Sequence, residues 1–243
     1  MTYCIGLNLD EGLILASDSR TNAGVDHVRR AGKMRVFAQE GERVVVTLSA
    51  GNLSLTQNVL NLLEHRARHE SGNLGILNAQ SMFQVAQLVG DAMREIRSRD
   101  EAYLRDSGID PTGSFIVGGQ IRGEAPRLFL VYSEGNFIES SDETPFFQTG
   151  EIKFGKPILD RVISSHTSLV EAAKCTLVSF DSTIRSNLSV GTPIDLLVYR
   201  RDSLKVEIQQ RFEDDDPYLQ AIRESWNNSM YRAVSDLPLP DWA

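Results

Sequence analysis

The chain has 243 residues, with 25 Lys and Arg against 33 Asp and Glu and a formal net charge of −8. This acidic balance argues against a protein that binds a phosphate backbone, and 41% hydrophobic residues indicate a globular fold. Two cysteines cannot form a disulfide framework, no apolar run is long enough to cross a membrane, and the chain opens without a leader pattern. We therefore expect a cytoplasmic protein with neither nucleic acid nor membrane as a partner.

The first part of the chain is predicted to form strands followed by helices. Runs rich in β-forming residues alternate with turn residues, which predicts two strand pairs, 3–9 with 12–17 and 34–38 with 43–49. Apolar residues then recur at helical spacing, which predicts helices over about 52–69 and 79–99.

The second part repeats this order. Strands are predicted at 114–121, 127–132 and 136–140, and a helix pair is predicted around 158–163 and 169–180. Two further strands are predicted at 192–199 and 203–211. A last helix is expected from Asp216, a suitable N-cap followed by Pro217, to about residue 234.

Strands in adjacent runs and helices in pairs differ from the strand–helix alternation of a parallel sheet. The order predicts an α+β fold, a four-layer αββα sandwich of two antiparallel sheets flanked by helix pairs. No linker or repeat interrupts the chain, so we expect a single domain over 1–243.

The first two residues suggest a chemistry. Initiator Met is commonly removed before a small residue such as Thr, and its removal would leave Thr2 with a free α-amine. A threonine hydroxyl is a weak nucleophile that needs a base, and an α-amine, with a pKa of about 7.7–8.0, can be that base. Nucleophile and base would then belong to one residue.

Two charged residues strengthen this hypothesis. Asp18 ends the second predicted strand, next to the strand that Thr2 begins, and Lys33 precedes the third. A buried Asp18–Lys33 pair beside Thr2 would keep Lys33 charged, and its ammonium would lower the pKa of the Thr2 hydroxyl and amine. The alternative is an ordinary surface ion pair.

Together these residues resemble the proteasome β-subunit family of N-terminal nucleophile hydrolases, in particular the bacterial branch called Anbu, the ancestral β-subunit. The resemblance covers most of the chain. It is carried by Thr2, Ala16-Ser17-Asp18-Ser19-Arg20-Thr21, Gly32-Lys33, Ser49-Ala50-Gly51 and Ser186-Asn187-Leu188-Ser189-Val190-Gly191. It implies the same αββα sandwich, and a C-terminal extension over about 213–243.

The resemblance also implies roles for single residues. Thr2 would be the nucleophile, Lys33 would tune its pKa, Asp18 would hold Lys33, and the backbone N–H of Gly51 would contribute to the oxyanion hole. Thr21, Ala31 and Ser49 would line the substrate pocket. For Gly51, a plain strand-to-helix turn is an equally good interpretation.

The pattern departs from the family in later segments. Proteasome β-subunits carry an Asp and two Ser around the amine, and their counterparts are expected near residues 150–151 and 186–189. Ser186 then stands where the family has this Asp, and Ser186 and Ser189 are the expected supporting residues of the Thr2 amine. The groups that exchange protons with this amine therefore differ from the family pattern.

The leading hypothesis is a threonine-type peptidase or amidase that acts on a peptide or amide substrate, with no metal and no cofactor. It would work in a homo-oligomer, a ring or an open helical assembly; an ATPase partner stays an open question. Two alternatives remain: an assembly or scaffold protein with a vestigial site, and a small-molecule amidase on the same fold.

Overall fold

Strands and helices alternate in blocks along the chain. The computed structural model describes residues 2–22, 28–69 and 75–242. Its strands are β1 Tyr3–Leu9, β2 Gly12–Asp18, β3 Arg20–Asn22, β4 Val28–Arg30, β5 Met34–Gln39, β6 Arg43–Gly51, β7 Gly113–Ile121, β8 Arg127–Val131, β9 Phe137–Glu139, β10 Phe146–Gly150, β11 Ile194–Arg200 and β12 Ile208–Phe212. Its helices are α1 Leu53–His69, α2 Met82–Asp106, α3 Lys156–Val162, α4 Leu169–Ser186 and α5 Pro217–Ser235.

Two antiparallel sheets form the middle of the molecule. The first has the strand order β10-β1-β2-β11-β12, the second has the order β5-β6-β7-β8-β9, and β3 and β4 form a separate hairpin. Each pairing in the two large sheets is antiparallel. This arrangement fits the short turns that join most neighbouring strands.

Strand alternation builds three apolar layers. Tyr3, Ile5 and Leu7 of β1 pack outward against α3, α4 and α5, while Cys4 faces the gap between the sheets. The second sheet in turn packs its outer face against α1 and α2. The result is the predicted four-layer αββα sandwich, and the fold class is confirmed.

Several element predictions were wrong in detail. Strand β10 and the β3–β4 hairpin were not predicted, although β10 pairs with β1 along its length. The strand predicted at 203–211 starts only at Ile208, because Asp202 and Leu204 adopt left-handed backbone with φ 64° and 45° and turn the chain. Helix α2 starts at Met82 behind an N-cap serine and runs on to Asp106.

The last helix begins as predicted. The side chain of Asp216 accepts hydrogen bonds from the backbone N–H groups of Tyr218 and Leu219, and Pro217 opens α5.

Within the described ranges, no helix has the length and apolar character that crossing a membrane requires.

Candidate active site

A buried ion pair lies where β2 ends and β5 begins. The Nζ of Lys33 lies 2.5 Å from Oδ1 of Asp18, and both side chains are almost fully buried. The same ammonium donates a second hydrogen bond, 2.7 Å long, to the backbone carbonyl of Arg20. These two hydrogen bonds hold the end of the lysine side chain in position. The predicted contact between Asp18 and Lys33 is therefore present, and it is not a surface pair.

The Asp18 carboxylate also holds the strand that follows Thr2. Its Oδ1 accepts a 2.9 Å hydrogen bond from the backbone N–H of Tyr3, and its Oδ2 accepts weaker bonds from the N–H groups of Arg20 and Gly191. Burial raises the pKa of the Asp18 carboxyl, while Lys33 and the N–H groups of Tyr3 and Gly191 oppose the rise. One carboxylate thus connects Lys33 to the start of β1.

Thr2 lies in the same corner of the molecule. It precedes β1, is 9% exposed, and shares a strand face with Cys4. The thiol of Cys4 donates a 3.6 Å hydrogen bond to the carbonyl of Ser49, so this face of β1 is directed at the second sheet. Burial raises the pKa of the Cys4 thiol, which makes Cys4 a poor nucleophile beside Thr2.

Gly51 ends β6 and must be glycine. Its φ is 105°, and a Cβ atom there would lie 2.5 Å from the carbonyl oxygen of Thr112. Next to it is a cavity of about 310 Å³, whose walls include Gly51, Ser114, Thr149 and Gly150. The position thus combines a tight turn with an open cavity beside it. Its role in an oxyanion hole stays a prediction.

Replacing Gly51 by Ala is expected to destabilise the protein by about 1–3 kcal/mol, because the added methyl group meets backbone in a left-handed conformation. Denaturant unfolding measures this cost. Gly108→Ala is the matched control, since Gly108 has a φ of 68° and no atom within 4 Å of its Cβ position. Equal costs for the two variants would contradict the steric explanation.

The three predicted pocket residues are placed around Lys33. Ser49 donates its backbone N–H (3.0 Å) and its hydroxyl (3.4 Å) to the carbonyl of Lys33. Ala31 donates its N–H to the carbonyl of Ser19, and Thr21 belongs to β3; both are half-buried. The fold brings all three near the ion pair, while their contact with a substrate stays a prediction.

Strand β10 brings a further segment to Thr2. The N–H of Glu151 donates a 2.7 Å hydrogen bond to the carbonyl of Thr2. Gly150 has a φ of 88°, and a Cβ there would overlap the same carbonyl at 1.9 Å. Glycine at this position therefore permits the close approach of the two chains. The sequence pointed to residues 150–151 without giving Glu151 a role.

The end of α4 completes this side of the site. The side chain of Asn187 donates a 2.8 Å hydrogen bond to Oε2 of Glu151, and its Oδ1 accepts from the N–H of Ser189. Ser186, the last residue of α4, is exposed. Asn187 thus bonds the side chain of the residue whose N–H contacts the Thr2 carbonyl, and the supporting role of Ser186 and Ser189 stays a prediction.

Among the described residues, no three His, Cys, Asp or Glu side chains lie together in a way that could hold a metal ion. The polar groups of the site are instead a buried ion pair, a hydroxyl residue at a strand start and a second carboxylate.

The chain is similar to solved structures over nearly its whole length. It is 47% identical to a chain of the helical assembly of the Anbu complex from Pseudomonas aeruginosa, over 98% of both chains, with a TM-score of 0.93. It is 45% identical to Anbu (ancestral beta-subunit) from Yersinia bercovieri, again over 98% of both chains with a TM-score of 0.93. The proteasome subunit beta of Haloferax volcanii is 22% identical over 216 residues, 87% of this chain and 79% of that protein. No family model matches the chain.

Proposed function

Because this chain belongs to the Anbu, or ancestral β-subunit, branch of the proteasome β-subunit family, we propose that it is an amide hydrolase with the Thr2 hydroxyl as its nucleophile. Removal of Met1 would free the α-amine that serves as the base. The observation that carries the proposal is the buried Asp18–Lys33 pair at the start of the strand that Thr2 begins. A buried charge next to a hydroxyl residue is typical of an activated nucleophile.

The proposed reaction has two steps. The α-amine of Thr2 takes the hydroxyl proton as the oxygen attacks the substrate carbonyl, and the resulting ammonium gives a proton to the leaving amine. This leaves an acyl-ester on Thr2. In the second step the amine takes a proton from water, whose oxygen attacks the ester and releases the acid and the free hydroxyl. Lys33 favours the ionised form of the hydroxyl throughout because its positive charge lies in the same corner.

We also propose that the chain works as a homo-oligomer. Large apolar side chains on the last turns of α5 and the tail are largely exposed: Tyr231, Val234, Leu237, Leu239 and Trp242. Such a patch, at the end of the predicted C-terminal extension 213–243, is typical of a contact surface. The similar Pseudomonas aeruginosa protein was solved as a helical assembly, which supports the same arrangement here.

Mass spectrometry tests both parts of the proposal. In denatured protein the intact mass should lack Met1 and should rise by one adduct after reaction with an epoxyketone, an electrophile that bonds to both the hydroxyl and the amine of a terminal threonine. Under native conditions the mass should be a multiple of that of the chain. Retained Met1 would contradict the proposed base. An assembled, trimmed but unreactive protein would favour a scaffold with a vestigial site.

A small-molecule amidase is separated from a peptidase by its substrates. If Thr2 reacts with the electrophile, a panel of peptides and a panel of small amides distinguish the two, since both reactions use the same nucleophile and base.

A further inference from the structure

Glu151, whose backbone N–H contacts Thr2, is buried without a cationic side chain as its partner in the described part of the chain. Glu151 is 7% exposed. Its hydrogen-bond donors are neutral: the amide of Asn187 at 2.8 Å and the backbone N–H of Lys153 at 3.4 Å. A buried carboxylate is costly unless an opposite charge offsets the loss of water. Within the described ranges, this carboxylate therefore has no cationic side chain bonded to it.

The strand pairing places the backbone of Glu151 beside Thr2. The register pairs Tyr3 with Gly150 and ends there, so Thr2 and Glu151 are the residues just beyond the last pair of the two strands. A 2.7 Å hydrogen bond from the Glu151 N–H to the Thr2 carbonyl joins them directly. Because the two backbones touch, the Glu151 carboxylate belongs to the immediate surroundings of the Thr2 nitrogen.

We infer that Glu151 is the counter-ion of the Thr2 α-ammonium, held in position by Asn187. The inference rests on the proposed removal of Met1, which turns the peptide nitrogen of Thr2 into an amine. Until that removal Thr2 carries no charge with which the carboxylate could pair.

This pairing would adjust the base that the reaction needs. When the α-amine accepts the proton of the Thr2 hydroxyl it becomes an ammonium, and the nearby charge of Lys33 disfavours a second cation. Glu151 offsets that repulsion and makes the amine a stronger base. Asp18 is already bound to Lys33, the Arg20 guanidinium donates to the Leu188 carbonyl, and the Cys4 thiol is protonated. Glu151 is thus the carboxylate placed to act on the amine.

The test measures the pKa of the Thr2 amine without needing turnover. Protein whose intact mass shows Thr2 at its N-terminus is acetylated with acetic anhydride from about pH 5 to about pH 10, which brackets an ordinary α-amine. The rate is read from the mass of the N-terminal peptide. Glu151→Gln, which keeps the size and the acceptor for Asn187, should lower the amine pKa by about one unit, because an opposite charge is lost.

Glu143→Gln is the matched control. It removes the same charge in the loop before β10, at the opposite end of that strand, and should leave the amine pKa unchanged. An unchanged pKa in Glu151→Gln would overturn the inference. If that variant does not fold, Glu151→Ser removes the same charge with a smaller polar side chain and should also lower the amine pKa; no fall would overturn the inference equally.

The outcome for Glu151 is independent of the outcome for the proposed function. A wild-type protein that does not react with the epoxyketone, but whose amine pKa falls in Glu151→Gln, would reject the hydrolase and keep the counter-ion. A wild-type protein that reacts fully with the epoxyketone, together with an unchanged amine pKa in Glu151→Gln, would keep the hydrolase and reject the counter-ion.

Discussion

Thr2→Ala is expected to abolish both reaction with the epoxyketone and amide hydrolysis, with a fall in rate of about a thousandfold or more. The variant keeps a small second residue, so Met1 should still be removed and the α-amine retained. What it lacks is the hydroxyl that forms the acyl-ester. The measurement is the intact mass after reaction, together with the hydrolysis rate of any substrate found for the wild type.

The fold should survive this substitution. The described contacts of Thr2 run through its backbone, because its carbonyl accepts the hydrogen bond of the Glu151 N–H. Thr2→Ser, which restores a hydroxyl, is the matched control and should react. The buried Cys4, whose thiol pKa is raised, should take up no adduct in either variant. Equal adduct formation by wild type and Thr2→Ala would reject Thr2 as the nucleophile.

The sequence predicted the layers of the fold because their signals are local. Helical spacing of apolar residues identified α1 and α2, and apolar runs such as Val44-Val45-Val46 identified β6. Asp18 and Lys33 could be paired in advance because each lies at the end or start of a predicted strand close to Thr2. The Asp18–Lys33 contact forms because Asp18 ends β2, the hairpin partner of β1, and Lys33 directly precedes β5, the first strand of the other sheet.

The rest of the site depends on pairing that no local signal reveals. Strand β10 has five residues and pairs with a strand more than a hundred positions earlier, so neither its length nor its neighbours in sequence predict it. Glu151 and Asn187 meet only because β10 lies beside β1 and α4 ends above it. Because β10 is short and its partner strand is distant in sequence, the sequence predicted only the regions 150–151 and 186–189. The contact between Glu151 and Asn187 is known from the structure alone.

Breaking the Asp18–Lys33 pair is expected to be the most costly substitution for stability. Lys33→Met leaves the Asp18 carboxylate buried without its cation, which should lower the free energy of unfolding by about 3–5 kcal/mol at neutral pH. The double variant Asp18→Asn/Lys33→Met removes both charges and should recover part of this loss. Denaturant unfolding at one fixed protein concentration measures both, because assembly also stabilises the fold.

The exposed pair of α3 is the matched control. The Nζ of Lys156 lies 2.6 Å from Oδ1 of Asp160, and both side chains are about half exposed. Lys156→Met should therefore lower the free energy of unfolding by less than about 1 kcal/mol. A similar cost for Lys33→Met would show that the buried pair contributes little to the folded state. A double variant as unstable as Lys33→Met would show that lost packing, and not the unpaired charge, causes the effect.

The pH dependence separates the buried charge from lost packing. In Lys33→Met, burial acts on Asp18 without the opposing cation, so the pKa of this carboxyl rises further above its unfolded value of about 3.9. A raised folded-state pKa means that the native state binds the proton more tightly than the unfolded chain. The stability of the variant is therefore greatest at acid pH and falls as the pH rises through the folded-state pKa. The deficit relative to wild type should accordingly shrink as the pH is lowered towards about 4, whereas a packing defect would cost the same at each pH.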